Sequence, residues 1–147
     1  MDILQVIVSQ QDRFLKTLSG YNSQSLTDDS IRRFSEELIK QLDLDSEHLV
    51  PEVIDLSTSS KSVAKRLCSK GEEIRAKIRH LKLVDIDSAS GLMLGILEDY
   101  RTYSQIILDD LRPIIRAKMP TYEREELGFV FMDLVDENFG WDELKYA

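Results

Sequence analysis

The sequence predicts an all-α chain, an up-down-up-down four-helix bundle with an extra short C-terminal helix. Three observations predict it. Apolar residues recur three and four apart along most of the chain, and no alternating strand pattern competes over any long stretch. Gly 6 and Pro 3 are too few for a turn-rich β-sandwich. The breaks in the apolar stripe are short and polar, which favours antiparallel neighbours. The 147 residues suit one domain, residues 1–147, with a core over about 2–137 and an aromatic tail over 138–147.

The first helix is expected over about residues 2–19, with Ile3, Val6, Ile7, Gln10, Phe14 and Leu18 on one stripe. Gly20 ends it, since glycine suits a left-handed C-terminal position. The second starts at Thr27, a capping residue, with Asp28 and Asp29 at the positive end of the helix dipole. Its stripe is Ile31, Phe34, Leu38, Leu42 and Leu49. Pro51 falls late in it and should kink or interrupt the helix, because it lacks an amide hydrogen and crowds the preceding turn. Leu56 to Ser60 closes that element.

A third helical region covers about 60–84, with Val63, Leu67, Ile74, Ile78, Leu81 and Val84. Ser69 to Glu72 matches a capping box, so this region is one bent helix or two short ones. After a loop over 85–90, the fourth helix runs over about 89–118 with Pro113 near its end. Gly91 and Gly95 have the spacing that lets helices approach closely. Pro120 separates a shorter helix, capped by Thr121, with Leu127, Val130, Phe131, Leu134 and Val135.

The formal charge is −8, which argues against a general nucleic-acid binder. The charge is uneven: residues 1–58 carry −6, residues 59–118 carry +4 and residues 119–147 carry −6. The longest apolar run, Gly91 to Leu97, is far short of the roughly 20 residues a membrane span needs. The start of the chain has no basic residues ahead of its apolar ones, unlike a secretory signal. With Cys68 the lone cysteine, no intrachain disulfide forms. A cytoplasmic setting is expected, with no membrane partner.

Several chemistries lack their motifs. His48 and His80 fit no zinc spacing, although Glu47 and Glu52 near His48 offer a weak metal site. No glycine-rich phosphate loop exists. Tyr100 and Tyr103 lie on the helical stripe, as core residues with satisfied hydroxyls do. The expectation is a chain that is not an enzyme and holds no cofactor.

One helix ending occurs twice: Gln41-Leu-Asp-Leu-Asp45-Ser-Glu-His-Leu-Val-Pro51 and Tyr103-Ser-Gln-Ile-Ile107-Leu-Asp-Asp-Leu-Arg-Pro113. With the opening Asp2 to Asp12 and the closing Glu123 to Phe131, the chain resembles a hemerythrin-type (HHE) four-helix bundle over about residues 2–131. On that resemblance the family's metal-binding histidines fall on Gln11, Gln41, Gly71 and Tyr103, and its carboxylates on Asp45 and Ile107. A diiron centre needs several imidazoles and bridging carboxylates. The resemblance therefore implies the fold, while the residues imply a metal-free cavity. Gln11, Gln41 and Tyr103 should point inward and bond to one another or to water. Phe34-Ser-Glu-Glu-Leu-Ile-Lys is also somewhat similar to bacterial anti-sigma bundles, which are metal-free helical proteins.

The expected function is a regulatory module that works by contact with a protein partner, as a monomer or homodimer. The alternative is a binding or sensing bundle whose cavity holds a small ligand or an atypical metal. Two contact surfaces are candidates. One is the basic helix carrying Lys61, Lys65, Arg66 and Lys70, for steering. The other is the tail with Phe139, Trp141 and Tyr146, for affinity. A solvated basic face that complements acidic neighbouring helices is the plainer reading of the first. A tail folded over the bundle end is the plainer reading of the second.

Overall fold

A computed structural model describes residues 1–22 and 26–139 of the chain. Among them every regular element is helical, and no helix is long and apolar enough to cross a membrane.

Helix α1, Ile3–Asn22, buries Ile3, Val6, Ile7, Phe14 and Leu18 together with Gln10 and Gln11. It runs through Gly20 instead of stopping there. The extra turn sets Tyr21 edge-on against Phe34, ring centroids 5.8 Å apart, a contact that offsets the roughly 1 kcal/mol glycine costs in a helix.

Helix α2 spans residues 28–53. Thr27 caps it as expected: its hydroxyl accepts from the Ser30 amide at 3.1 Å, and the Ser30 hydroxyl accepts from the Thr27 amide at 2.8 Å. Pro51 does not break it. Asp28–Leu44 is α-helical, Asp45–Leu49 widens into a π turn, and Val50–Val53 is α-helical again. The Val50 amide bonds to the Asp45 carbonyl, five residues back. The wider turn relieves the crowding between the proline ring and the carbonyls before it, so Pro51 interrupts the α-helical pattern locally without ending the helix.

Helix α3, Thr58–Leu81, starts earlier than the stripe implies, because Ser57 and Ser60 form a capping box. It is one unbroken helix: Ser69 to Glu72 does not restart it, since Val63, Leu67, Ile74 and Ile78 are buried on either side of Gly71. Helix α4 spans residues 86–118, beginning just after Asp85, whose carboxylate accepts from the Ser88 amide at 3.0 Å. Its π turn, Ile106–Leu111, precedes Pro113 as the first precedes Pro51, and the Arg112 amide bonds to the Ile107 carbonyl. A Cβ at Gly91 or Gly95 would meet nothing within 4 Å, so these glycines do not serve close packing.

Helix α5, Thr121–Phe139, has 19 residues against 20 in α1, so it is not short. The Pro120 carbonyl accepts the Arg124 amide at 3.0 Å, which makes Thr121 the first helical residue and not the cap.

Each of α1 to α4 packs on its sequence neighbour, and α1 closes the bundle against α4. The pairs Tyr21–Phe34, Arg75–Asp43 and Arg66–Asp110 fix α1/α2, α2/α3 and α3/α4. Helix α5 lies along α1 and runs parallel to it. Gly128 sits against Met1–Ile3, Arg124 pairs with Asp2 at 3.2 Å, and Phe139 lies 5.7 Å from Phe14 between ring centroids.

Candidate functional site

Midway along the bundle the apolar core gives way to a polar cluster from three helices. Helix α1 supplies Gln10 and Gln11, α2 supplies Gln41 and Asp45 one turn apart, and α4 supplies Tyr100 and Tyr103. All six side chains are buried. The Gln41 amide donates to Oδ2 of Asp45 at 3.0 Å, and the Tyr103 hydroxyl donates to the same oxygen at 2.9 Å. Gln41 Oε1 in turn accepts from the Gln10 amide. The Tyr100 hydroxyl donates to Gln11 Oε1 at 2.8 Å, and its ring stacks on Tyr103 at 5.4 Å.

The electrostatics follow from burial. Desolvation pushes the Asp45 carboxyl up to about 7, although the bonds from Gln41 and Tyr103 favour its charged form. Desolvation, then the nearby Asp45, holds both tyrosine hydroxyls well above their ordinary value, so they remain donors. Oδ1 of Asp45 and Oε1 of Gln10 have no hydrogen-bond partner among the described residues.

Of the positions singled out in the sequence, Gln41, Asp45 and Tyr103 come together directly. Gln11 joins them through Tyr100. Gly71 is buried beside Tyr103: a Cβ there would lie 3.7 Å from the ring and 3.9 Å from Leu42. Ile107 is fully buried. Gln10 and Tyr100 complete the cluster without having been singled out for it. Their signal is a pair of consecutive glutamines on an apolar stripe, and a tyrosine one turn before Tyr103.

These residues do not fit a diiron group. Ile107 has no donor, Gly71 has no side chain, and Gln41 and Tyr103 aim their hydrogens at the single carboxylate. Among the described residues no group of three or more His, Cys, Asp or Glu is placed to hold a metal.

Beside the cluster, the missing side chain at Gly71 leaves a cavity of about 240 Å³ between α2 and α3. Leu42, Val50, Leu67 and Tyr103 wall it, and the exposed Ser46, Cys68 and Glu72 open it to solvent. Burial, and then Glu72, push the Cys68 thiol up, which leaves it a weak nucleophile.

The basic helix is engaged within the chain. Lys61 pairs with Asp55 at 3.8 Å, Arg66 with Asp110 at 3.1 Å, and Lys70 with Glu73 at 3.0 Å and Asp99 at 3.1 Å. Lys77 also pairs with Asp99. Lys65 is exposed. These pairs are of the kind a face complementing acidic neighbours makes. Phe139 packs edge-on against Phe14, and Trp141 and Tyr146 lie outside the described residues.

Val130, a stripe position in the sequence, is half exposed, because α5 packs on α1 through Gly128, and Phe131 and Val135 are the buried stripe residues. Helix α5 is apolar on both sides: Phe131 and Val135 are buried, while Tyr122, Phe129 and Val130 are 67%, 68% and 51% exposed. Compared with family models, with curated proteins and with solved structures, the chain matches none.

Proposed function

We propose that the chain is a metal-free, hemerythrin-like bundle that acts as a regulatory protein–protein interaction module in the cytoplasm. The observation that carries this reading is the exposure of Tyr122, Phe129 and Val130 on α5, with Tyr122 and Val130 lining one groove. Scattered surface apolar residues need no explanation, but a grouped set is a common mark of an interface, and aromatic residues dominate binding energy there. The repeated π turn before Pro51 and Pro113 supports the hemerythrin-like part, because both turns fall in the two helix endings that carry the resemblance. The lone Cys68 supports the compartment. The chain has no catalytic role in this reading.

The test is capture from native lysate followed by native mass spectrometry. The wild-type chain should retain a stoichiometric protein partner that the variant Tyr122→Ser/Phe129→Ser/Val130→Ser loses. Equal complexes with both, or none with either, would overturn the reading.

A second reading is carried by the cavity beside Gly71: the bundle holds a small, largely apolar ligand against Tyr103. Native mass spectrometry should then show a bound small molecule that Gly71→Leu excludes.

A further inference from the structure

The interaction-module reading leaves the partner's chemistry open, and α5 narrows it. Its N-terminal half and the end of α2 flank a groove of about 570 Å³. Its apolar lining comes from Met119, Leu127, Val130 and Tyr122. Three carboxylates share that lining: Glu52 from α2, and Glu123 and Glu126 from α5, one turn before Leu127 and Val130. The outer surface of α5 continues in the same sign with Glu125, Asp133 and Glu137, all exposed. Its single cation, Arg124, is turned away, paired with Asp2 and bonded to Thr121.

We infer that this groove takes a basic amphipathic helix of a partner protein, its apolar face on Met119, Leu127 and Val130 and its lysines or arginines against Glu52, Glu123 and Glu126. Three arguments select that occupant. A groove lined by apolar residues and three carboxylates complements a segment that carries both an apolar stripe and cations, the pattern of helix-in-groove recognition. A nucleic acid or an anionic lipid surface would meet only like charge in the groove. A second copy of this chain would bring its own carboxylates against these, which disfavours self-association through the same face. This inference rests on the interaction-module reading and goes beyond it in naming the partner's chemistry.

The test uses the full chain and a labelled peptide of leucine and lysine with leucines at helical spacing, about 18 residues or five turns long. Controls are the same peptide with glutamate for lysine, and a scrambled leucine–lysine peptide. Fluorescence anisotropy should show binding of the first peptide alone, weakening as salt rises. Tyr122→Ser/Val130→Ser and Glu123→Gln/Glu126→Gln should each weaken it about tenfold or more. Asp87→Asn/Glu98→Gln removes the same charge from exposed positions on α4 and should leave affinity within about twofold. Equal loss in that control, equal binding of either control peptide, or no binding would overturn the inference. A concentration-dependent dimer abolished by Tyr122→Ser/Val130→Ser would also overturn it, by making a second copy the occupant. If the peptide fails while host-partner capture still depends on Tyr122, Phe129 and Val130, the module reading stands and the basic-helix assignment falls.

Discussion

Tyr103 on α4 donates its hydroxyl proton to Oδ2 of Asp45 on α2 at 2.9 Å, with both side chains buried. This bond ties two helices on opposite corners of the bundle through its centre. Tyr103→Phe removes the donor and leaves Asp45 with Gln41 alone. The variant should lose about 1–3 kcal/mol of stability at neutral pH, the usual result of stripping a bond from a buried acceptor. Urea unfolding monitored by circular dichroism measures it, and an unchanged midpoint would contradict the geometry.

Asp45 gives stability a distinctive pH dependence. Its carboxyl titrates at about 7 when folded against 3.8 as its ordinary value, so the folded chain binds the proton more tightly. The associated stability is full below about pH 4 and is lost as pH rises through about 7. Asp45→Asn, neutral at every pH, should flatten that decline by on the order of a few kcal/mol relative to wild type. Parallel unfolding curves of the two proteins from pH 4 to pH 8, with a constant gap between them, would refute the assignment.

Gly71 and Gly128 should respond to alanine with opposite signs. At Gly71 a methyl meets Tyr103 and Leu42 at ordinary contact distance. Gly71→Ala should therefore stabilise α3 by about 0.5–1 kcal/mol, through helix propensity and lost unfolded-state freedom. A rise in melting temperature checks it.

At Gly128 a Cβ would fall 2.1 Å from the Met1 carbonyl oxygen and 2.7 Å from the Ile3 amide nitrogen, both backbone atoms. Gly128→Ala must push α5 away from α1, and overpacking of this kind costs about 1–3 kcal/mol or more. Hydrogen exchange should quicken across α5 and the first turns of α1 before the rest of the bundle. Protection equal to wild type would mean that the two helices do not touch there.

Purified protein should carry no stoichiometric iron, because the cluster offers amides, phenols and one carboxylate. Elemental analysis near two iron atoms per chain would refute this.

The helices are legible in the sequence because their stripes are long and their caps local: Thr27 needs only Ser30 beside it. The inward aim of Tyr103 is legible from its stripe, whereas that of Gln11 and Gln41 comes from the resemblance of the opening and the helix endings and not from the stripes. Pro51 and Pro113 are visible, but the response to them is not. A proline can break, kink or widen a helix, and packing along both flanks of the turn decides among these. Gln10 reads as one more stripe position because a helix flanked by α2 and α5 as well as α4 buries more than one face. The length of α5 and its exposed apolar side depend on α1, more than a hundred residues away. No local period encodes that pairing.

The parallel seating of α5 on α1 has a consequence for synthesis. Helix α1 leaves the ribosome before α5, so Ile3 and Val6 wait for Gly128 and Val135 until more than a hundred further residues have been made. Contacts this distant in sequence raise the contact order of an otherwise local, fast-folding topology. The nascent four-helix portion carries an open apolar seam during that interval, the kind of surface that draws chaperones and misassembly. Closure of the seam marks the moment when α1 and α5 become one cooperative unit.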